Sequence, residues 1–226
     1  MTYCIQEIPI FVSFSAVLMD TTSLFGYFKT LTDAQKDQFN QLKSLYLDWN
    51  AKINVISRKD MDYFYEHHVL HSLAIGKYFD ILPGMKVMDL GTGGVFPGIP
   101  LAILFPDAEF YLIDGTGKKI NVVNAVKDAI GLKNVVAEHK RAEEVKDKFD
   151  IVTGRAVMTL PEIANLAGNK LRIRGDIEAG GILYLKGGDL KEEIQAISKY
   201  WHYKKTPVSK YFKEEYFEEK YVVHLY

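Results

Sequence analysis

The sequence is poor in the residues that would tie it to several familiar protein classes. It has one cysteine, Cys4, so no disulfide can form within the chain and no cysteine cluster can hold zinc. That fits a reducing compartment, and a cytoplasmic protein is expected. Neither sign of charge is in excess: 28 Lys+Arg face 29 Asp+Glu. A nucleic-acid partner would have to be met by a local basic patch rather than by the whole chain. No apolar run reaches the length needed to span a bilayer, so no membrane partner is expected. The apolar stretch 8–19 lacks the positive flank and cleavage site of a signal peptide. Residues 1–19 are read as an upstream extension, with Met19 as an alternative start, or as an ordinary first strand or helix.

Two nucleotide signatures are missing as well. The glycine-rich stretch Val87-Met88-Asp89-Leu90-Gly91-Thr92-Gly93-Gly94-Val95-Phe96-Pro97-Gly98 has Phe96 where a dinucleotide fingerprint needs its third glycine. Around Gly115-Thr116-Gly117-Lys118-Lys119, Leu112 and Lys119 stand where a phosphate loop needs glycine and Ser/Thr. What is present is an apolar run over 85–90, a glycine turn and an apolar helical run over 99–105. That geometry brings a ligand close to bare backbone at a helix start. Glycines there supply positive φ and leave no Cβ in the way. Asp89 is expected to place a carboxylate at the mouth of the turn, and Gly91 and Gly93 to cradle the ligand. A second run over 109–113 ends in Asp114, at the distance of an acid that accepts from ribose hydroxyls. The pattern resembles class I S-adenosylmethionine-dependent methyltransferases, whose ligand has no pyrophosphate for a third glycine to admit.

With 226 residues and 48% hydrophobic content, the chain can bury one large domain with a helical appendage. Thr32-Asp33-Ala34-Gln35 is a capping box, and Phe39, Leu42, Leu45, Tyr46 and Trp49 follow at helical spacing, which predicts a helix over 33–49. A loop over 50–57 leads through Arg58-Lys59-Asp60 into a second helix carrying Phe64, Leu70, Leu73, Ala74 and Tyr78. Strands are expected at 85–90, 110–113, 135–139, 150–153 and 182–186, with helices near 98–105, 117–130, 157–168 and 189–200. That alternation implies a parallel α/β sheet with ligands at the carboxyl ends of the strands. The segments 202–206 and 217–226 read as a closing antiparallel pair. The expected fold is a Rossmann-like methyltransferase sheet, parallel with an antiparallel C-terminal strand, divided into a helical cap over 20–82 and a core over 83–226.

Arg141-Ala142-Glu143 follows the third core strand, where it can lie beside the ligand or simply open a solvated turn. Arg155 follows the fourth strand, where it could pair with a carboxylate or a phosphate. Leu185-Lys186-Gly187-Gly188 ends the fifth. His67 and His71 are four apart on one helix face, as in helical zinc sites, but no third ligand is evident and no metal is expected. Lys118, Lys119, Lys127, Lys133, Lys140 and Arg141 form one basic set, and Lys170, Arg172 and Arg174 another. Either is a solvated face or a phosphate-reading surface around the cleft. Tyr63, Phe64 and Tyr65 could stack an unpaired base or pack in the core.

Several blocks together carry a more specific resemblance. They are Trp49-Asn50 with Asn54 and Ser57-Arg58; His68-Val69-Leu70-His71-Ser72-Leu73; the glycine turn extended through Phe96-Pro97-Gly98-Ile99-Pro100; Asp114-Gly115 with Gly117-Lys118-Lys119; Arg141-Ala142-Glu143; Arg155-Ala156-Val157; and Leu185-Lys186-Gly187. In this order they resemble the small-subunit ribosomal RNA guanine-N7 methyltransferases, formerly called glucose-inhibited division protein B. The similarity runs from about residue 32 to 188. It implies methyl transfer from S-adenosylmethionine to N7 of a guanine in 16S ribosomal RNA, as naked RNA or in a small-subunit precursor, by a protein expected to be monomeric. It also implies cofactor contacts at Gly91, Phe96, Asp114, Ala142, Glu143 and Arg155, beside Asp89 and Gly93 from the turn itself. RNA contacts are expected at Arg58, His68, Lys118, Lys119 and Lys186. Guanine N7 carries a free lone pair, so no side chain is assigned as a general base. The alternatives are a methyltransferase-like RNA-binding module without activity, and a nicotinamide-dependent oxidoreductase, which the Phe96 spacing argues against. The chain departs from the family at Val95, where glycine is usual, at His67, at His71 and at Gly115. A β-branched residue disfavours positive φ, so the rotation of the turn is expected to fall on Gly94, with φ negative at Val95.

Overall fold

The structure, a computed structural model, describes residues 19–94, 96–156 and 158–226. The readings of the N-terminal extension and of the Val95 backbone lie outside the described residues. Among the described residues, seven strands form one sheet in the order β3-β2-β1-β4-β5-β7-β6. Strands β1 (Lys86–Leu90), β2 (Glu109–Asp114), β3 (Val135–His139), β4 (Ile151–Arg155) and β5 (Gly181–Gly187) are parallel. Strand β6 (Tyr203–Pro207) pairs antiparallel with β7 (Lys220–Leu225), which pairs antiparallel with β5. The strand order reverses between β1 and β4, and that switch point is where open α/β sheets leave a crevice.

Among the described residues, three α-helices precede the sheet: α1 (Thr21–Tyr27), α2 (Asp33–Asn50) and α3 (His71–Tyr78). The Thr32/Gln35 capping box opens α2 as its sequence requires. The first helix was not foreseen; Asp20 caps it by accepting from the Ser23 N–H, and Leu24 is its one buried residue. The expected helix leading to Tyr78 is π-helical over Phe64–Leu70 before it becomes α3. Its wider turn lets two successive histidines reach one carboxylate, described below.

Within the core, α4 (Gly98–Leu104), α5 (Gly117–Ala129), α6 (Leu160–Ala167) and α7 (Lys191–Ile197) connect the strands. Side chains alternate between sheet faces along each strand. Val87, Phe110, Leu112, Ile151, Leu183 and Leu185 join the cap helices, α4 and α5 in one apolar cluster. Met88, Leu90, Ile113, Val152, Ile182 and Tyr184 join α6 and α7 in the other. The cap and α6 therefore cover opposite faces, and the glycine turn at the tip of β1 lies between them.

Close packing fixes the start of α4. A Cβ on Gly98 would stand 2.7 Å from Asp89 Oδ2 and 2.8 Å from the Leu112 side chain. Gly98→Ala should therefore destabilise the protein by about 1–3 kcal/mol through overpacking, read as a lower urea midpoint at constant m-value. Gly26→Ala, in α1 with nothing within 4 Å of the new Cβ, is the control that should cost nothing.

Candidate active site

Carboxylates from neighbouring strands hold both ends of the glycine turn. Asp114, ending β2, accepts from the Gly93 N–H at 2.9 Å through Oδ2 and from the Thr116 N–H at 2.8 Å through Oδ1. Asp89, on β1, is fully buried, and its Oδ2 accepts from the Gly98 N–H at 2.9 Å. It does not open onto the mouth of the turn as expected, because position 89 alternates onto the cap face. Burial raises its pKa to about 7, against the opposing pull of Thr92 and the Gly98 N–H. Gly91 and Gly93 take φ of 68° and 53°, so the left-handed rotation falls on them and not on Gly94. What Gly94 supplies is space: a Cβ there would stand 2.9 Å from the Val55 carbonyl of the cap.

A cavity of about 350 Å³ opens at the strand tips, with Gly91, Asp114, Lys119, Ala142, Glu143 and Met158 in its wall. Four of the residues expected there are thus brought together. Phe96 and Arg155 are not in this wall. Period-two alternation sends Arg155, like Ile151 on the same strand, toward the cap, where its guanidinium lies 5.0 Å from the centre of the Phe96 ring. Phe96 itself is buried, stacked on Tyr46 at 5.3 Å and edge-on to Phe64 at 5.8 Å.

The five expected RNA contacts divide in the same way. Arg58 and Lys118 are exposed, and Lys119 is partly exposed with its Nζ 3.7 Å from Asp114 Oδ2. His68 is buried in the cap. Lys186 pairs with Glu193 at 2.9 Å and donates to the Met158 carbonyl, so it is enclosed by its own neighbours rather than offered to a ligand. Of the three aromatic residues considered for stacking, Phe64 and Tyr65 are buried, and Tyr63 stays at the surface, stacked on His67.

Sequence reasoning named two residues that organise this region, Asn50 and Asp60, but gave neither a role in the site. Asn50 donates to the Ile56 carbonyl and accepts from the Val55 and Ile56 N–H groups, which clamps the 51–57 loop against Gly94. Asp60 meets both histidines of the π-helical segment, His67 Nδ1 at 2.6 Å and His68 Nε2 at 2.8 Å. In a regular helix a carboxylate seven or eight residues ahead of a histidine stands about 11 Å away, so that spacing does not signal a contact. Ala156, after Arg155, has φ of 51°, a strained value for a residue with a Cβ.

Burial and the Arg155 charge lower the pKa of His68 to about 4, and the same causes hold His71 well below its ordinary 6.5. Both histidines bind protons in the unfolded chain before they do in the fold, so stability falls as pH drops from 6.5 toward 4. Asp89 has the opposite sign over this window, because the fold keeps it protonated up to about 7. Burial also lowers His224, which adds to the histidine side, and raises Glu66, which adds to the other; three groups against two give a net loss of stability on acidification. The urea midpoint should fall between pH 6.5 and 5, and His71→Phe should flatten that slope; a midpoint that rises on acidification would contradict this account.

A model of the rRNA small subunit methyltransferase G family matches residues 35–219. Ribosomal RNA small subunit methyltransferase G of Flavobacterium johnsoniae is 52% identical over 203 residues, covering 89% of this chain and 96% of that protein. Its counterpart from Bacteroides thetaiotaomicron is 51% identical over 205 residues, covering 89% and 97%. Among solved structures, the magnesium protoporphyrin IX methyltransferase of Synechocystis with bound SAM superposes with a TM-score of 0.53 at 16% identity, covering 86% of this chain and 98% of that one. This last likeness concerns the fold alone. The fold, the clamped glycine turn and these similarities agree: the chain belongs to the rRNA small subunit methyltransferase G family.

Proposed function

We propose that this protein transfers a methyl group from S-adenosylmethionine to N7 of a guanine in 16S ribosomal RNA, acting as a cytoplasmic monomer. One observation carries the reading: Asp114 stands in the wall of a cavity that Gly91, Ala142 and Glu143 also line. Each Asp114 oxygen accepts one backbone N–H, which leaves lone pairs for ribose hydroxyls. Gly91 puts no side chain into the cavity. Met158 and Leu166, also in its wall, offer an apolar surface to a purine, so these residues fit a nucleoside with a compact charged end.

When bound, S-adenosylmethionine supplies an electrophilic methyl group on a sulfonium. The protein's part is to orient and exclude water, because guanine N7 has a free lone pair and no proton must leave. In this reading Asp114 holds the ribose, and Ala142 with Glu143 borders the base. Arg58, Lys118 and Lys119 meet RNA phosphates. The target guanine arrives unpaired, since N7 lies in a groove of A-form RNA that side chains do not reach. The helical residues 20–82 are proposed as the substrate-facing cap over the 83–226 core.

Mass mapping of N7-methylguanine in 16S ribosomal RNA from cells with and without the gene tests the activity; an unchanged map would refute it. Asp114→Ala should weaken S-adenosylmethionine binding by about 1.5–3 kcal/mol, the range for a hydrogen bond to a charged group. Calorimetry showing unchanged affinity would mean that this carboxylate does not hold the ribose.

A further inference from the structure

The environment of Arg155 poses a problem of charge. Burial lowers its pKa, so the guanidinium has lost much of its water. Its polar partners are neutral: NH1 donates to the His67 carbonyl at 3.1 Å, and NH2 lies 2.9 Å from His68 Nδ1. Among the described residues, no carboxylate is in ion-pair contact with it. A desolvated cation without a counterion in contact is costly, so negative charge must reach it by a route from further off. Asp89 and Asp60 are the two carboxylates that act on it, and burial holds Asp89 protonated up to about 7, which leaves Asp60.

His68 supplies that route. A guanidinium only donates, so Nδ1 must accept and the imidazole proton must sit on Nε2. Nε2 is 2.8 Å from Asp60 Oδ2, a close electrostatic contact whose direction is not that of a hydrogen bond. The ring stays neutral, as its lowered pKa agrees. The other Asp60 oxygen is 2.6 Å from His67 Nδ1, and the His67 ring is stacked between Tyr63 at 4.6 Å and Tyr216 at 3.8 Å. Asp60 is therefore held by the His67 hydrogen bond and lies against His68, and a chain of close contacts runs from its carboxylate past His68 and Arg155 to the face of Phe96.

The two ends of this chain belong to different working parts. Phe96 is in the glycine turn, its N–H bonded to the Thr92 carbonyl at 3.1 Å. Asp60 is two residues from exposed Arg58 and closes the segment that Asn50 clamps over Gly94. We propose that Asp60 and His68 are positioning residues for methyl transfer, holding Arg155 against Phe96 so that the RNA-facing cap segment and the methyl-donor turn keep one geometry. This rests on the reading that the cavity takes S-adenosylmethionine.

The test is a double-mutant cycle on the full chain, with S-adenosylmethionine affinity read by calorimetry for wild type, Asp60→Asn, Arg155→Met and the pair. Urea midpoints confirm that each variant is folded under assay conditions, so loss of global stability alone does not move the affinity. Asp60→Asn should bind about tenfold more weakly, and this effect should vanish in the Arg155→Met background. If wild type itself does not bind, the cofactor reading fails, and this proposal with it. Wild-type binding with Asp60→Asn within about twofold of it overturns the proposal alone. So does an equal loss in both backgrounds, since Asp60 would then act by some path other than Arg155. Should Asp60→Asn not fold, His68→Asn keeps an acceptor near the Nδ1 position and cuts the link to Asp60, and it enters the same cycle with the same expected outcomes.

Discussion

Everything near the cavity depends on two hydrogen bonds that restrain one stretch of backbone. A glycine turn that offers bare backbone to a ligand also leaves N–H groups unpaired, and a loop of glycines has little of its own to hold it still. Asp114 takes the Gly93 N–H and Asp89 takes the Gly98 N–H, so carboxylates on adjacent strands anchor the turn at its start and its end. The start of α4, the seat of Phe96 and the contact between Gly94 and the cap all follow from that anchoring. The two acids are not equivalent. Asp114 stands in the cavity wall and keeps lone pairs to offer. Asp89 is enclosed behind the turn, and its raised pKa measures how far the cap has removed it from water.

Strand alternation then divides the labour between the faces. Along β1, β2 and β4, odd and even positions part company, until the strand tips bring Asp114 into the cavity wall beside Ile113. Leu90 and Ile113 look toward α6 and line the cavity, whereas Ile151 and Arg155 look toward the cap. The glycine turn is the wall common to both. Whatever the cap contributes to events in the cavity has to pass through that wall, because α2 and the π-helical segment cover only the opposite face.

Much of this was legible in the sequence. Apolar runs ending in turn residues placed all five parallel strands to within a residue or two, and 202–206 with 217–226 revealed the antiparallel close. Capping chemistry gave α2, and the same chemistry at Asp20 would have given α1 had a seven-residue helix with a single buried leucine carried a periodic signal. The site was legible where chemistry sits beside its motif: Gly91, Asp114, Ala142 and Glu143 meet at one cavity. It was illegible where a side chain's direction depends on which sheet face a distant helix covers. Nothing local to Arg155 says that the cap, rather than α6, packs on its side of β4. Nor does the sequence show a π-helical turn, which alone brings His67 and His68 together on Asp60.

Strongly shifted ionisable groups commonly mark catalytic sites, and here the inference needs redirecting. Lys140, in the cavity wall, is raised by its hydrogen bonds to Glu138 and Tyr111 at the surface, whereas the burial-driven shifts of His68, His71 and Asp89 fall outside that wall. All three lie along the seam between cap and core, where burial rather than chemistry moves them. Methyl transfer to a nitrogen with a free lone pair asks for no proton acceptor, so it leaves a protein only geometry to work with. In such an enzyme a buried polar network is better placed behind the reacting atoms than beside them. There it fixes directions without competing for the methyl group, and a neutral imidazole between a carboxylate and a guanidinium meets that requirement by transmitting charge while keeping its own proton.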